Sequence, residues 1–239
     1  MRRTIATFGA VLAGAALSLT GAGSSLAAGT GVIHVPSDFV PALSDTRATG
    51  HYAVQGTGLH VWTQGSTSTD KVAEYVATST PLADAGEPSL SYTPTSGTVP
   101  PGFQLVVDFD GNGTADGILV GEPTFYGSSW WLNNAAQPFV KAGAPHTGGG
   151  SGSNWFGTLD EWRAAFPSAD VLAFGFSLGS GVLGDGVINS MTFAGTTYTF
   201  AADVVLTSKD QCKNGGWATS TMPVYKNQGE CVSHFASGK

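Results

Sequence analysis

The sequence predicts an all-β protein, an antiparallel β-sandwich with one short helix and a disulfide-tied C-terminal tail. Three observations predict it. Runs rich in Val, Ile, Tyr, Phe and Thr recur between clusters of Gly, Pro, Ser and Asn, the pattern of short strands joined by turns. Charged residues make up 11% of the 239, against about 25% in an ordinary soluble protein, so the surface is polar through hydroxyl groups. Two cysteines, Cys212 and Cys231, lie near the end, where a disulfide suits an oxidising compartment.

The chain opens on Met1-Arg2-Arg3, an apolar small-residue run over 5–19, and a polar stretch ending Ser25-Leu26-Ala27-Ala28. This is the layout of an export signal. The run is too short and too rich in Gly and Ala for a membrane span. Cleavage is expected near Ala28, giving a signal peptide over 1–28, a secreted chain, and a formal charge that moves from −7 to −9 as Arg2 and Arg3 are lost. An acidic chain without a Lys/Arg cluster lacks the basic field that phosphates require, which excludes a nucleic-acid partner.

Strands are expected at 32–35, 52–55, 59–63, 72–78, 89–92, 103–109, 117–120, 129–132, 171–177, 187–193 and 196–206, enough for two packed sheets. The helix is expected after Thr158, because Thr158-Leu159-Asp160-Glu161 has the form of a capping box. Leu159, Trp162 and Phe166 follow at helical spacing, and Pro167 stops the run. A glycine- and serine-rich loop occupies 145–154. The sandwich body is assigned to 29–206 and the tail to 207–239, where a bridge between Cys212 and Cys231 closes a loop of about 20 residues worth about 3 kcal/mol. A metal site on these cysteines would need further ligands, and only His234 lies nearby.

Three motifs carry possible chemistry. Gly175-Phe176-Ser177-Leu178-Gly179 spells the nucleophile elbow of α/β-hydrolases. Four glycines in the next eight positions oppose the helix that an elbow requires, so the segment reads as a strand entering a glycine-rich loop, with 172, 174, 176 and 178 on its core face. The segment DFDGNGTADGIL places Asp108, Asp110, Asn112, Thr114 and Asp116 at calcium-loop positions 1, 3, 5, 7 and 9. Position 12 is Leu119 rather than a bidentate Glu, and Glu122 is the nearest substitute. The alternative is a hairpin turn in which Asp, Asn and Gly tolerate left-handed backbone.

The third motif is aromatic. Six tryptophans could stack on sugar rings, and the candidate ligand-binding set is Trp130, Trp131 and Trp155: adjacent Trp130 and Trp131 point to opposite faces of a strand, and Trp155 borders the flexible loop. Glu74, Glu122, Asp160 and Glu161 could supply paired carboxylates for glycoside hydrolysis, a matter that separation in space decides. The histidines show no metal-ligand spacing.

The segments CKNGGW (212–217) and YKNQGECVS (225–233) resemble a tail that ends many uncharacterised secreted actinobacterial proteins. The segment 157–200, ending TTYTF, resembles the closing strands of secreted β-sandwich domains of jelly-roll type. The resemblance implies a jelly-roll-type sandwich with a role in surface or polysaccharide binding, and carries over no catalytic residue. The expected function is a non-catalytic secreted module binding glycan or cell-envelope polysaccharide, stabilised by calcium. An exported structural or partner-binding protein and a secreted hydrolase are the alternatives.

Overall fold

The computed structural model describes residues 29–65, 67–97 and 99–237; the expected signal peptide lies outside them. Among the described residues, twelve strands form two six-stranded sheets. The first sheet contains β1 (Gly29–Val35), β2 (Gly50–Gln55), β3 (Gly58–Thr63), β5 (Ser89–Gly97), β11 (Gly184–Phe193) and β12 (Thr196–Ala202). Its axis is β11, which pairs with β5 along one side. On the other side it pairs with β3 over its first half and with β12 over its last three residues. β2 then pairs with β3, and β1 with β12.

The second sheet runs β4 (Lys71–Pro81), β10 (Asp170–Gly179), β6 (Gly102–Asp108), β7 (Gly117–Gly121), β8 (Trp130–Leu132) and β9 (Phe156–Gly157). The core lies between the sheets, where β10 contributes Val171, Phe174, Phe176 and Leu178 and meets Phe193 and Phe200 from the first sheet. Phe174 and Phe193 stack across the interior at 4.5 Å.

The sandwich is as the sequence predicts, with differences in strand pairing and in the faces that are buried. β1 and β12 pair in parallel, so the first sheet is mixed. In β10 a register shift between Val171 and Ala173 puts Val171 on the core face in place of Leu172, as a bulge does by inserting one unpaired residue. The small face of β10 is buried as well: Ala173 packs with Tyr75 and Val106 under Leu43, and a side chain at Gly175 would strike the Glu74 carbonyl at 2.1 Å.

Four α-helices are present among the described residues, rather than one. The expected α3 (Leu159–Ala165) starts on the capping box, with Thr158 N–H donating to Glu161 Oε2 at 2.8 Å and Glu161 N–H to Thr158 Oγ1 at 3.3 Å. It buries Leu159 and Trp162, whose Nε1–H donates to the Trp130 carbonyl at 3.0 Å. The others are α1 (Pro123–Tyr126), α2 (Pro138–Gly143) and α4 (Gln228–Ala236). The first two are four and six residues long, too short to show a helical period.

The strand expected over 196–206 ends at Ala202, because Asp203 turns back to accept from the Ser37 hydroxyl at 2.5 Å while its N–H donates to the Val35 carbonyl. Beyond it, Cys212 and Cys231 form a disulfide. Both are fully buried in a small core of the tail with Leu206 and Tyr225, closed by Trp217, Val232 and Phe235.

Candidate functional site

β5 pairs only with β11 among the described residues, so one edge of the first sheet stays open. Beneath that edge the sheets part into a cleft of about 590 Å³. Strand alternation directs Leu90 and Tyr92 of β5 inward, and Phe103 of β6 and Trp130 of β8 meet them from the second sheet. The connection through α1 forms a wall with Glu122 and Phe125. Phe103 and Trp130 meet edge to face at 6.1 Å. Gly121 lies under Trp130, where a Cβ would come within 2.8 Å of the indole. A glycine is therefore required for the ring to lie against β7.

Glu122 follows β7 directly and is half-buried. Burial pushes its carboxyl above the usual carboxylate range, opposed in part by a hydrogen bond from Trp131 Nε1–H at 2.9 Å. No ion pair to Glu122 occurs among the described residues. The other charged residue lining the cleft, Glu87, is bound to Arg163 at 3.1 Å.

The three candidate tryptophans do not form one platform. Trp130 is 6% exposed and serves as floor of the cleft. Trp131 turns to the opposite face of the sheet, where it meets Glu122 and covers Gly150. Trp155 packs against the main core, with the Lys141 ammonium 5.0 Å above its ring. The sequence reading missed Tyr92, Phe103 and Phe125 as cleft residues. Only their meeting from β5, β6 and α1 puts them on one cleft, and no local motif marks them.

The calcium-type segment is the β6–β7 turn. Carboxylate oxygens of Asp108, Asp110 and Asp116 lie within 4.8 Å of one another. Asp108 is buried and accepts backbone N–H groups of Gly113 at 2.6 Å, Gly111 at 2.8 Å and Asn112 at 3.2 Å. Burial acts to raise its carboxyl, but these bonds together hold it below the usual range. Asp116 accepts from Phe109 N–H at 2.8 Å, and Asn112 Oδ1 from Thr114 N–H at 2.8 Å. Three carboxylates, hard oxygen donors of the class that binds divalent cations, thus meet in one turn. Leu119, at position 12, is fully buried in the core. Glu122 does not take its place, because it sits at the opposite end of β7, on the cleft.

Comparison with family models, curated proteins and solved structures found no match to this chain.

Neither hydrolase arrangement is assembled. Ser177 is buried within β10, its hydroxyl directed to the Gly179 carbonyl at 3.3 Å, and the chain continues through a loop into β11 rather than a helix. The triad partners that chain order would allow are engaged elsewhere: Asp185 with His60 at 2.8 Å, Asp203 with Ser37, and His234 against Tyr225 and Phe235. The four candidate carboxylates are also dispersed. Glu74 accepts from Ser44 and Thr46, Asp160 pairs with Arg163, and Glu161 belongs to the capping box, leaving Glu122 alone of these at the cleft.

One further cluster was not legible in the sequence. On the outer face of the first sheet, Trp62 stacks on His60 at 4.3 Å and on His51 at 5.2 Å. The His60–Asp185 contact at 2.8 Å continues the row. Cross-strand register places these side chains together, and their rings stack on one another.

Proposed function

We propose that this protein is an exported, non-catalytic binding module for glycan or cell-envelope polysaccharide, with the cleft beneath β5 as its ligand site. The observation that carries the reading is the joining of aromatic side chains from both sheets, Tyr92, Phe103, Phe125 and Trp130, in one concavity. Hydroxyl residues Ser89, Ser96, Thr124 and Ser128 also line it. A sugar ring has an apolar C–H face that suits an aromatic wall and hydroxyls that exchange hydrogen bonds with such groups. The volume lies within the range of about 300–1,000 Å³ of small-ligand sites. Export is supported by the leader composition and the disulfide.

Calcium is the second element of the proposal, held by Asp108, Asp110, Asn112 and Asp116 with the Thr114 carbonyl. It would fix the β6–β7 turn rather than touch the ligand.

The test is co-sedimentation of the protein, from residue 29 on, with cellulose, chitin, xylan and peptidoglycan, with calcium and with chelator. Binding to one polymer, weakened in Tyr92→Ala and Phe125→Ala, is the expected result. Failure to bind any of the four, or the deacetylated form of chitin, would overturn the glycan reading.

A second reading, a polypeptide partner, is favoured by β5 itself. Residues 88–101 carry no charge, so the open edge lacks the lysines that usually guard such strands, and an extended chain could add to it. A Thr93→Lys variant that loses a protein partner while keeping polysaccharide binding would select this reading.

A further inference from the structure

Residues 29–206 hold fifteen acidic side chains and four basic ones. All four basic groups are engaged: Arg47 and Lys71 on Asp45, Lys141 on the Asn134 carbonyl and over Trp155, and Arg163 on Asp160 and Glu87. None lines the cleft, whose charged residues among those described are Glu87 and Glu122. Glu87 is paired with Arg163, which it shares with Asp160. Among the described residues the half-buried Glu122 carboxyl has a single neutral donor, Trp131, and it lines the same cleft as Tyr92, Phe125 and Trp130.

A desolvated carboxylate without a cation favours a ligand that brings one, and aromatic faces attract an ammonium further. The acidic body acts in the same direction at longer range and disfavours anionic polymers such as uronates or phosphate-linked chains. We propose that the ligand of this cleft is an amine-bearing polysaccharide, a glycan with free 2-amino groups, and that Glu122 receives the ammonium. This rests on the reading of the cleft as a glycan site. The carboxylate confers selectivity among glycans, because an N-acetyl group is neutral and offers no charge to it.

Around Glu122 the other titratable groups are few. Glu87 on the segment before β5 is tied to Arg163, and Tyr92 on β5 stays neutral, its phenol raised by burial and by Asp185. Binding of the amine form therefore weakens in acid as Glu122 takes a proton and in alkali as the ligand loses one.

The experiment is titration calorimetry of the chain from residue 29 on with two probes of equal length, the hexamer of glucosamine and the hexamer of N-acetylglucosamine, at neutral pH and low salt. At least a tenfold preference for the amine hexamer, weakened by salt and reduced to near parity in Glu122→Gln, is expected. Circular dichroism and the melting temperature confirm that the variant is folded. Equal binding of the two hexamers, or preference for the acetylated one, overturns the inference and leaves the glycan reading standing. A wild-type preference that Glu122→Gln leaves intact overturns the role of Glu122. Binding of neither hexamer, with no binding to the insoluble polymers, overturns both.

Discussion

Trp131 Nε1–H donates to Glu122 Oε2 at 2.9 Å, linking the outer face of the second sheet to the wall of the cleft. Adjacent Trp130 faces the other way and forms the cleft floor. One dipeptide thus shapes the cavity and holds its carboxylate. Trp131→Phe is expected to lower stability by about 1–2 kcal/mol, the scale of losing one donor to a charged acceptor, measured by urea unfolding.

Glu122 carries its own pH dependence. Burial raises its folded pKa above the ordinary 4.5, so the fold prefers the protonated form and stability declines as pH rises through the folded pKa. Glu122→Gln is expected to melt higher than wild type at pH 7 and to lose that advantage at pH 4. An unchanged difference across this range would show that the carboxyl is not desolvated in solution.

Asp70 gives the opposite dependence. The Thr49 hydroxyl, together with the hydroxyl and N–H of Thr67 and the Thr49 N–H, holds its carboxyl down from 3.8 to about 2. The stability this confers is fully present above the ordinary range and is lost as pH falls through about 2. Asp70→Asn is expected to be less stable at neutral pH, with its deficit shrinking on acidification, as followed by circular dichroism between pH 6 and pH 2.

The β6–β7 turn separates two effects. Asp108→Ala removes the acceptor of three backbone N–H groups, at a cost of about 2–4 kcal/mol with or without calcium. Asp110→Asn removes an exposed carboxylate and is expected to leave stability in chelator nearly unchanged while abolishing stabilisation by millimolar calcium. No rise in wild-type melting temperature with calcium would leave the turn as a hairpin held by its own carboxylates.

The Cys212–Cys231 bridge spans a separation of 19 residues and serves a core of its own. Cys212→Ser with Cys231→Ser is expected to cost about 2–4 kcal/mol. Hydrogen exchange should quicken in α4 and around Tyr225 while β10 and β6 stay protected. Loss of protection throughout would show that tail and sandwich unfold as one unit.

The sequence alone determined the β class, most strand positions, the capping box of α3 and the pairing of the two cysteines. These depend on alternation, local hydrogen bonding and count, all readable within a few residues. Nearby residues also set the β6–β7 turn, since the acceptors and donors of Asp108–Asp116 lie within one hairpin. Tertiary structure alone decided the parallel β1–β12 pairing, the bulge that exchanges Leu172 for Val171, and which of Trp130 and Trp131 faces the cleft. It also moved Glu122 from the expected calcium loop to the cleft, because a strand carries its two ends apart and Glu122 belongs to the far one. The cleft is built from β5, β6, β8 and the α1 connection, whose side chains share a surface only after two sheets have packed. No local pattern of residues encodes such a meeting, which is why the chain displays its architecture in its sequence and its candidate site only in its fold.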